Sequence, residues 1–232
     1  MFGNIAPPCS TDIALHKNRV FLAISDGSVW YSKKLAPKLG AEFSDFQVKP
    51  IENYTGKISC LGAVRDYLIV ITTEHAYFIA GDGPNAAGVG SDFSPPTIFG
   101  RDAGASKRAR TNSPVGFIYY ADGGIYRVSP AMQIDWIGSP VEDTVDTYSI
   151  TRMTVNDSEG EIYFGCDNAT YGLLVYNYIF EAWSAWRPRY PAFDSNIKPR
   201  GMMVEGGKLQ IAIPSGHLLE ENTGFQDIGS AS

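Results

Sequence analysis

Apolar and polar positions along this chain fall into short strand-like runs that recur five times. The runs are Arg19-Val20-Phe21-Leu22-Ala23-Ile24, Asp66-Tyr67-Leu68-Ile69-Val70-Ile71, Gly116-Phe117-Ile118-Tyr119-Tyr120-Ala121, Gly160-Glu161-Ile162-Tyr163-Phe164-Gly165 and Gly207-Lys208-Leu209-Gln210-Ile211-Ala212. Their starts lie 47, 50, 44 and 47 residues apart, a spacing that belongs to folds built from one repeated supersecondary unit. Each run is rich in β-branched and aromatic residues, which suit a pleated, half-buried surface, and each ends in a turn-forming cluster. The clusters are Asp26-Gly27, Thr73-Glu74, Asp122-Gly123-Gly124, Asp167-Asn168 and Pro214-Ser215-Gly216. Asp-Gly and Gly-Gly supply the positive φ of a tight hairpin and Thr-Glu does not, so the second turn is the weakest match. Return strands follow at Val29-Trp30-Tyr31, Ala76-Tyr77-Phe78-Ile79, Ile125-Tyr126-Arg127-Val128, Leu173-Leu174-Val175-Tyr176 and His217-Leu218-Leu219. The repeated unit is therefore a hairpin.

A further apolar segment precedes most of these hairpins: Ile13-Ala14-Leu15, Ile58-Ser59-Cys60-Leu61, Ile150-Thr151-Arg152-Met153-Thr154-Val155 and Met202-Met203-Val204. Before the third it blurs around Ser113-Pro114-Val115. Downstream, aromatic residues sit in polar settings at Phe43, Phe46, Phe93, Trp136, Trp183, Trp186 and Phe225, which brings the unit to about four strands. Four antiparallel strands repeated five times predict an all-β fold, a β-propeller of about five four-stranded blades, alone or within a larger six-bladed ring. The expected blades are 9–50, 55–98, 111–143, 148–192 and 197–230, within one domain spanning 1–232. A β-sandwich or jelly roll is the competing expectation, since it too has many short, evenly spaced strands.

At 232 residues the chain is long enough to bury most of its unfolded surface without disulfides or metals. Its 24 Gly, 14 Pro and 29 aromatic residues (4 Trp, 13 Tyr, 12 Phe) suit flat-packed strands and tight turns and argue against a helical bundle. Nineteen basic against 25 acidic residues give a net charge of −6, which disfavours a protein held to its partner by phosphate neutralisation. Cys9, Cys60 and Cys166 lack metal-ligand spacing and read as buried free thiols. Purely apolar segments such as Leu68 to Ile71 are far too short to span a bilayer, and no amino-terminal stretch pairs basic residues with a long apolar run, so a soluble protein is expected.

The search for chemistry returns weak candidates. His16, His75 and His217 are scattered, and no metalloprotease, nucleophile-elbow or phosphate-loop motif is present. The carboxylates Asp66, Glu142, Asp143 and Asp146 could be considered for glycoside hydrolysis, but Asp66 falls in a hairpin turn and the others in a connector. Gly81-Asp82-Gly83-Pro84-Asn85 offers one carboxylate to a calcium ion and reads better as a turn. The residues therefore imply no enzyme, no cofactor and no metal. Two clusters remain as candidate interfaces. Arg101, Lys107, Arg108 and Arg110 lie in a Gly/Ala/Ser-rich stretch from Gly81 to Ser113 that reads as an exposed loop, where charge is commonly just solvated. Trp183, Trp186, Arg187, Arg189 and Tyr190 form the densest aromatic and basic cluster, suited to a protein interface, to stacking on a sugar or to packing within a blade.

Met1-Phe2-Gly3-Asn4-Ile5-Ala6-Pro7-Pro8 resembles the outer end of a blade, comparable with Asp135-Trp136-Ile137-Gly138-Ser139-Pro140 and Asp92-Phe93-Ser94-Pro95-Pro96. It could complete the last blade, or be the tail of a further blade. Gly224-Phe225-Gln226-Asp227-Ile228-Gly229 already reads as an outer strand of the fifth unit, which favours an incomplete or partner-completed ring.

Pro7-Pro8-Cys9-Ser10 leading into His16-Lys17-Asn18-Arg19-Val20-Phe21-Leu22-Ala23 and Ser28-Val29-Trp30-Tyr31-Ser32 resembles the propeller region of short-tailed bacteriophage tail hub or nozzle proteins, of the packaged-DNA stabilisation type. Asp66–Glu74 and Val115–Tyr126 add to the resemblance, whose motifs are structural and cover most of the chain. It implies a virion protein made in the host cytoplasm, assembled as a homo-oligomeric ring with adaptor, nozzle or hub partners around the DNA exit channel, with at most weak contact to DNA. Proteins of that kind are considerably longer. The alternative is a five-bladed carbohydrate-binding lectin-like module, which should repeat its binding residues; Trp30, Tyr77, Tyr126, Tyr171 and Leu218 stand in inconsistent registers along the sequence.

Overall fold

In the computed structural model, which describes residues 3–38, 40–51, 57–85, 89–101, 109–121, 124–167, 172–186, 198–214 and 216–221, the chain is almost wholly β. It divides into two compact units, Met1–Ser139 and Pro140–Ser232.

The first unit carries three four-stranded antiparallel sheets. The first contains β1 (Ser10–His16), β2 (Arg19–Ile24), β3 (Ser28–Tyr31) and β4 (Val48–Pro50). The second contains β5 (Ile58–Val64), β6 (Tyr67–Thr72), β7 (His75–Ile79) and β8 (Thr97–Arg101), and the third β9 (Arg110–Ser113), β10 (Gly116–Ala121), β11 (Gly124–Val128) and β12 (Ile134–Trp136). The second unit opens with the short helix α1 (Glu142–Thr147). A fourth sheet follows with β13 (Ile150–Asn156), β14 (Glu161–Cys166), β15 (Leu173–Asn177) and β16 (Ala182–Trp186), then a fifth with β17 (Gly201–Glu205), β18 (Lys208–Ala212) and β19 (Leu218–Glu220). Every sheet is a meander in chain order, so the architecture is that of repeated propeller-type sheets, four with four strands and one with three described.

The registers align the sheets more closely than the sequence alone does. Counting three residues back from the last residue of each first strand selects one rung: Ile13–Leu22–Trp30, Leu61–Val70–Tyr77, Arg110–Tyr119–Tyr126, Met153–Phe164–Leu174 and Met202–Ile211–Leu219. Because side chains alternate across a strand, this rung and its second neighbours form one face and the intervening residues the other. In the first unit Ala14, Phe21, Ala23, Val29 and Tyr31 of the first sheet share a core with Leu61, Leu68, Val70, Tyr77 and Ile79 of the second. The opposite face of the second sheet, Cys60, Val64, Ile69, Ile71 and Ala76, packs on Phe117, Tyr119 and Val128 of the third. In the second unit Tyr163, Leu173 and Val175 pack on Leu209 and Ile211. Each such fully buried Leu, Ile or Phe stabilises the fold by roughly 1.5–3 kcal/mol through lost water contact.

The first hairpins close by two-residue turns with positive φ at Lys17 (45°) and Asn18 (57°) and at Gly206 (59°) and Gly207 (80°), the twist that matches antiparallel strands. The Thr73-Glu74 turn, unfavourable on backbone grounds, is held by Thr72 instead: its Oγ1 accepts the amides of Glu74 at 3.3 Å and His75 at 2.9 Å.

Several expectations are corrected. The stretch 81–113 is not a plain exposed loop, since it contains β8 and β9. Phe43, Phe46 and Phe93 precede the fourth strands of their sheets and lie in connectors; Phe43 and Phe93 are buried there and Phe46 is exposed. Cys9 is exposed, while Cys60 and Cys166 are buried. The blurred segment before the third hairpin is β9, Arg-Thr-Asn-Ser, a strand whose side chains bond across to neighbouring sheets. Phe225 and residues 122–123, 168 and 215 of the turn clusters lie outside the described residues.

Candidate interaction surfaces

Of the residues singled out in the first basic cluster, the structure places Arg110 fully and Arg101 as the end of β8; Lys107 and Arg108 lie outside the described residues. Arg110 is not a free surface cation. From the first strand of the third sheet its guanidinium donates to the Asp12 carboxylate and, at 3.1 Å, to the Ile13 carbonyl of the first sheet. The other oxygen of Asp12 accepts the Leu61 amide of β5 at 2.7 Å, and Asn112 Oδ1 accepts the Ala63 amide at 3.0 Å. Among the described residues strand β5 pairs only with β6, so its other edge would leave these amides unmade; side chains from the sheets on either side satisfy them. Asp12 is the central member, bonded to all three sheets. The sequence signal was present in the polar β9, but nothing in spacing names Asp12 as its partner.

The Gly81–Asn85 segment and Phe93 fasten the second sheet's long connector onto the first sheet. Lys17 Nζ lies 2.7 Å from Asp82 and 3.3 Å from Asp66, and the pairing with Asp82 raises the lysine's pKa and lowers that of the carboxyl. The one carboxylate of the calcium-like segment is therefore engaged by a lysine. Arg19 is fully buried. It donates to the Ser32 carbonyl at 2.8 Å and to the Pro84 carbonyl, with its guanidinium 5.8 Å from the Tyr31 ring centroid and 5.7 Å from that of Phe93. Its Nε has no partner among the described residues. Burial lowers the Arg19 pKa, opposed by Tyr31 and Asp92, and burial with the bond to Asp92 pushes the Tyr31 phenol well up. Asp92 accepts Tyr31 Oη at 2.7 Å and Lys49 Nζ at 2.6 Å; burial alone would raise its pKa, but Lys49, Tyr31 and the Phe93 amide outweigh it.

The other candidates are spread through the fold. His16 is buried at the tip of the first hairpin, 3.3 Å from the Asp66 carbonyl and against Phe21. His75 packs against Tyr77, and His217 is exposed. Asp66 pairs with Lys17, whereas Glu142, Asp143 and Asp146 ride on α1. Among the described residues no group of three or more His, Cys, Asp or Glu stands close enough to hold a metal.

In the second unit Trp183 packs on Tyr176 at 4.8 Å and Phe164 at 5.1 Å between centroids, and Trp186 on Tyr163 at 5.6 Å. Both tryptophans are half-buried within the fourth sheet and its core. Arg187, Arg189 and Tyr190 lie outside the described residues. The aromatics that a sugar site would reuse also acquire a register: Trp30, Tyr77 and Tyr126 occupy the same rung position, with Leu174 and Leu219 as counterparts in place of Tyr171 and Leu218. Of these, Tyr77, Tyr126 and Leu219 pack between sheets, and Trp30 packs on Leu22, Ile24 and Phe43.

Apolar surface is open on the first sheet. Ile13 and Leu15 on β1 are 57% and 62% exposed, next to half-buried Val20 and Trp30. No helix among the described residues is long and apolar enough to cross a membrane.

Comparison with known proteins returns no matching family model and no matching curated protein. Solved structures do match. The extracellular domain of a one-component system from B. thetaiotaomicron superposes with a TM-score of 0.56 at 12% identity, over 93% of this chain and 27% of that one. A GH74 xyloglucanase from Xanthomonas campestris gives 0.52 at 12% identity, over 95% and 39%, and the computationally designed Ika8 protein 0.51 at 11%, over 90% and 56%. The chain thus spans about half or less of the length of these structures. At such identity they are similar in fold alone, and that fold is the all-β, repeated-sheet architecture described above.

Proposed function

We propose that this chain is a structural component of a short-tailed phage tail, of the hub or nozzle kind, acting through protein–protein contacts around the DNA exit channel. The observation that carries the reading is where the resembling segments fall. Residues 7–32 hold β1, β2 and β3 of the first sheet, 66–74 hold β6 of the second, and 115–126 hold β10 and the start of β11 of the third, including the tips fastened by His16, Lys17 and Asp66 and the buried Arg19. The likeness thus lies in what sets the blade geometry, as suits a protein whose work is to hold shape. The subunits would join in a homo-oligomeric ring by heterologous contacts, with adaptor, nozzle or hub proteins as neighbours. The protein would be made in the host cytoplasm and end in the virion. Tyr77 and Tyr126 serve sheet-on-sheet packing, which favours this reading over a carbohydrate-binding module.

Quantitative mass spectrometry of gradient-purified particles tests it. The expected result is this chain at a fixed integer ratio to the portal protein. Its absence from particles would remove the proposal.

A further inference from the structure

Between β7 and β8 the second sheet sends out a loop whose two described legs, Ala80–Asn85 and Val89–Ser94, are bonded to each other at both ends. At the base the Ser94 amide donates to the Ala80 carbonyl at 2.8 Å and the Ala80 amide to Ser94 Oγ at 2.9 Å. At the far end the Asn85 amide donates to the Val89 carbonyl at 2.8 Å and the Val89 amide to Asn85 Oδ1 at 3.0 Å. Between them the Phe93 ring lies against Gly83, where there is no room for a Cβ. These legs form a compact body with its ends together, packed by its own side chain. Among its described residues Pro84 and Phe93 alone are buried. The first sheet reaches this body through side chains: Lys17 to Asp82, Arg19 to the Pro84 carbonyl, and Tyr31 and Lys49 to Asp92. Phe93 stands edge-on to Phe21 and Tyr31, at 5.3 and 4.9 Å between centroids.

We propose that this loop is a latch, which leaves the first sheet as one body about its Ala80–Ser94 base while the strands beneath stay folded. Opposing effects meet at its seat. Closing it buries Phe93 and Pro84, which favours the closed state. Closing it also strips water from the Arg19 guanidinium, which is fully buried, answered by carbonyls and ring faces, and left with Nε unpartnered among the described residues. Dehydrating a cation is costly unless its donors are all met, and Phe93 and Pro84 stand against this one, so their departure returns it to water. The ties at the rim are weak, because Lys17–Asp82 and Lys49–Asp92 end on carboxylates that are 80% and 51% exposed, where pairing contributes little. A body held to its seat by side chains alone, over a cation short of a partner, belongs to the part of a fold that opens below global unfolding. The strands differ: β2 is bonded along both edges to β1 and β3, and β6 to β5 and β7. The open latch would present Lys17, Arg19 and Lys49 beside Phe21 and Tyr31, cations that the closed latch covers with its own carboxylates and carbonyl. The inference does not depend on the tail reading.

Residue-resolved chemical labelling of the full chain tests it. Phenylglyoxal modifies accessible arginines and iodoacetamide accessible cysteines, and mass spectrometry reads Arg19, exposed Arg65 as the reagent control, and Cys60, which is buried between the second and third sheets and reports unfolding of the first unit. Each rate is divided by the rate of the same residue in the unfolded chain, across a denaturant series below the unfolding transition. The expected ratio for Arg19 is about tenfold or more above that for Cys60 and nearly flat in denaturant, because lifting a loop exposes little surface. Tyr31→Phe keeps the ring and removes its bond to the Asp92 carboxylate, and should raise Arg19 labelling about tenfold with Cys60 unchanged. Equal ratios for Arg19 and Cys60 with the same denaturant slope would overturn the proposal. So would a Tyr31→Phe chain in which Arg19 labelling stays put or rises only in step with Cys60.

Discussion

His16 carries a pH dependence that follows from where one imidazole sits. Its ring is buried beside Phe21, and burial lowers its pKa below the ordinary 6.5, opposed by the Asp66 carbonyl and by the Asp66 and Asp82 charges, with Lys17 adding to the lowering. The unfolded chain therefore binds a proton more readily than the folded one in the interval below pH 6.5. This contribution to stability is fully present above that pH and is lost as pH falls from 6.5 through the folded-state value. Denaturant titrations of the wild type and His16→Gln at pH 5 and pH 8 check it. The wild type should lose more stability between the two than the variant does, and equal losses would show that the imidazole stays neutral or finds an acceptor. A histidine next to a strand is readable in sequence, but its burial is not, because that depends on the tip of the second sheet's hairpin lying over it.

Strand β5 shows how an element can depend on one side chain from another. Its free-edge amides at Leu61 and Ala63 are accepted by Asp12 and Asn112, and Asp12 also holds Arg110. Asp12→Ala would leave a buried amide unmade and a half-buried guanidinium without its carboxylate, a loss of roughly 2–4 kcal/mol. In a chain of this length that lowers the thermal midpoint by several degrees. Asp12→Asn keeps the acceptor for Leu61 and should fall between; calorimetry of the two variants, with Asp45→Ala as an exposed control, reads the order. An Asp12→Ala midpoint equal to the control's would mean that the clasp adds nothing. These elements also mark the limit of sequence reading. The five β2-type runs and their return strands are legible because apolar side chains on both faces must be buried. Strand β9 is hard to read in sequence because Arg110 and Asn112 face neighbouring strands with polar groups, and Phe43 and Phe93 resemble outer-strand residues because a buried connector aromatic looks the same as a strand one. The Asp12–Arg110 partnership, 98 residues apart, has no local trace.

The whole molecule carries more acid than base, and several of its described cations pair with its own carboxylates. Lys17 pairs with Asp66 and Asp82, Lys33 with Glu42, Lys49 with Asp92, Arg110 with Asp12, Arg127 with Asp135 and Lys208 with Glu220. Affinity for a nucleic-acid backbone comes from cations free to displace counterions, and each of these paired cations would first have to leave a carboxylate that remains nearby and repels the phosphate. With a net charge of −6 the expected outcome is no duplex DNA binding at about 0.15 M salt up to roughly 10⁻⁴ M protein, the weak end of non-specific binding. Fluorescence anisotropy with a labelled duplex across a salt series measures this. Lowering the salt should raise affinity only slightly, because few counterions would be released. Micromolar binding with a steep salt slope would instead assign a DNA-holding role to Arg101, Lys107 and Arg108, since Arg110 is committed to Asp12.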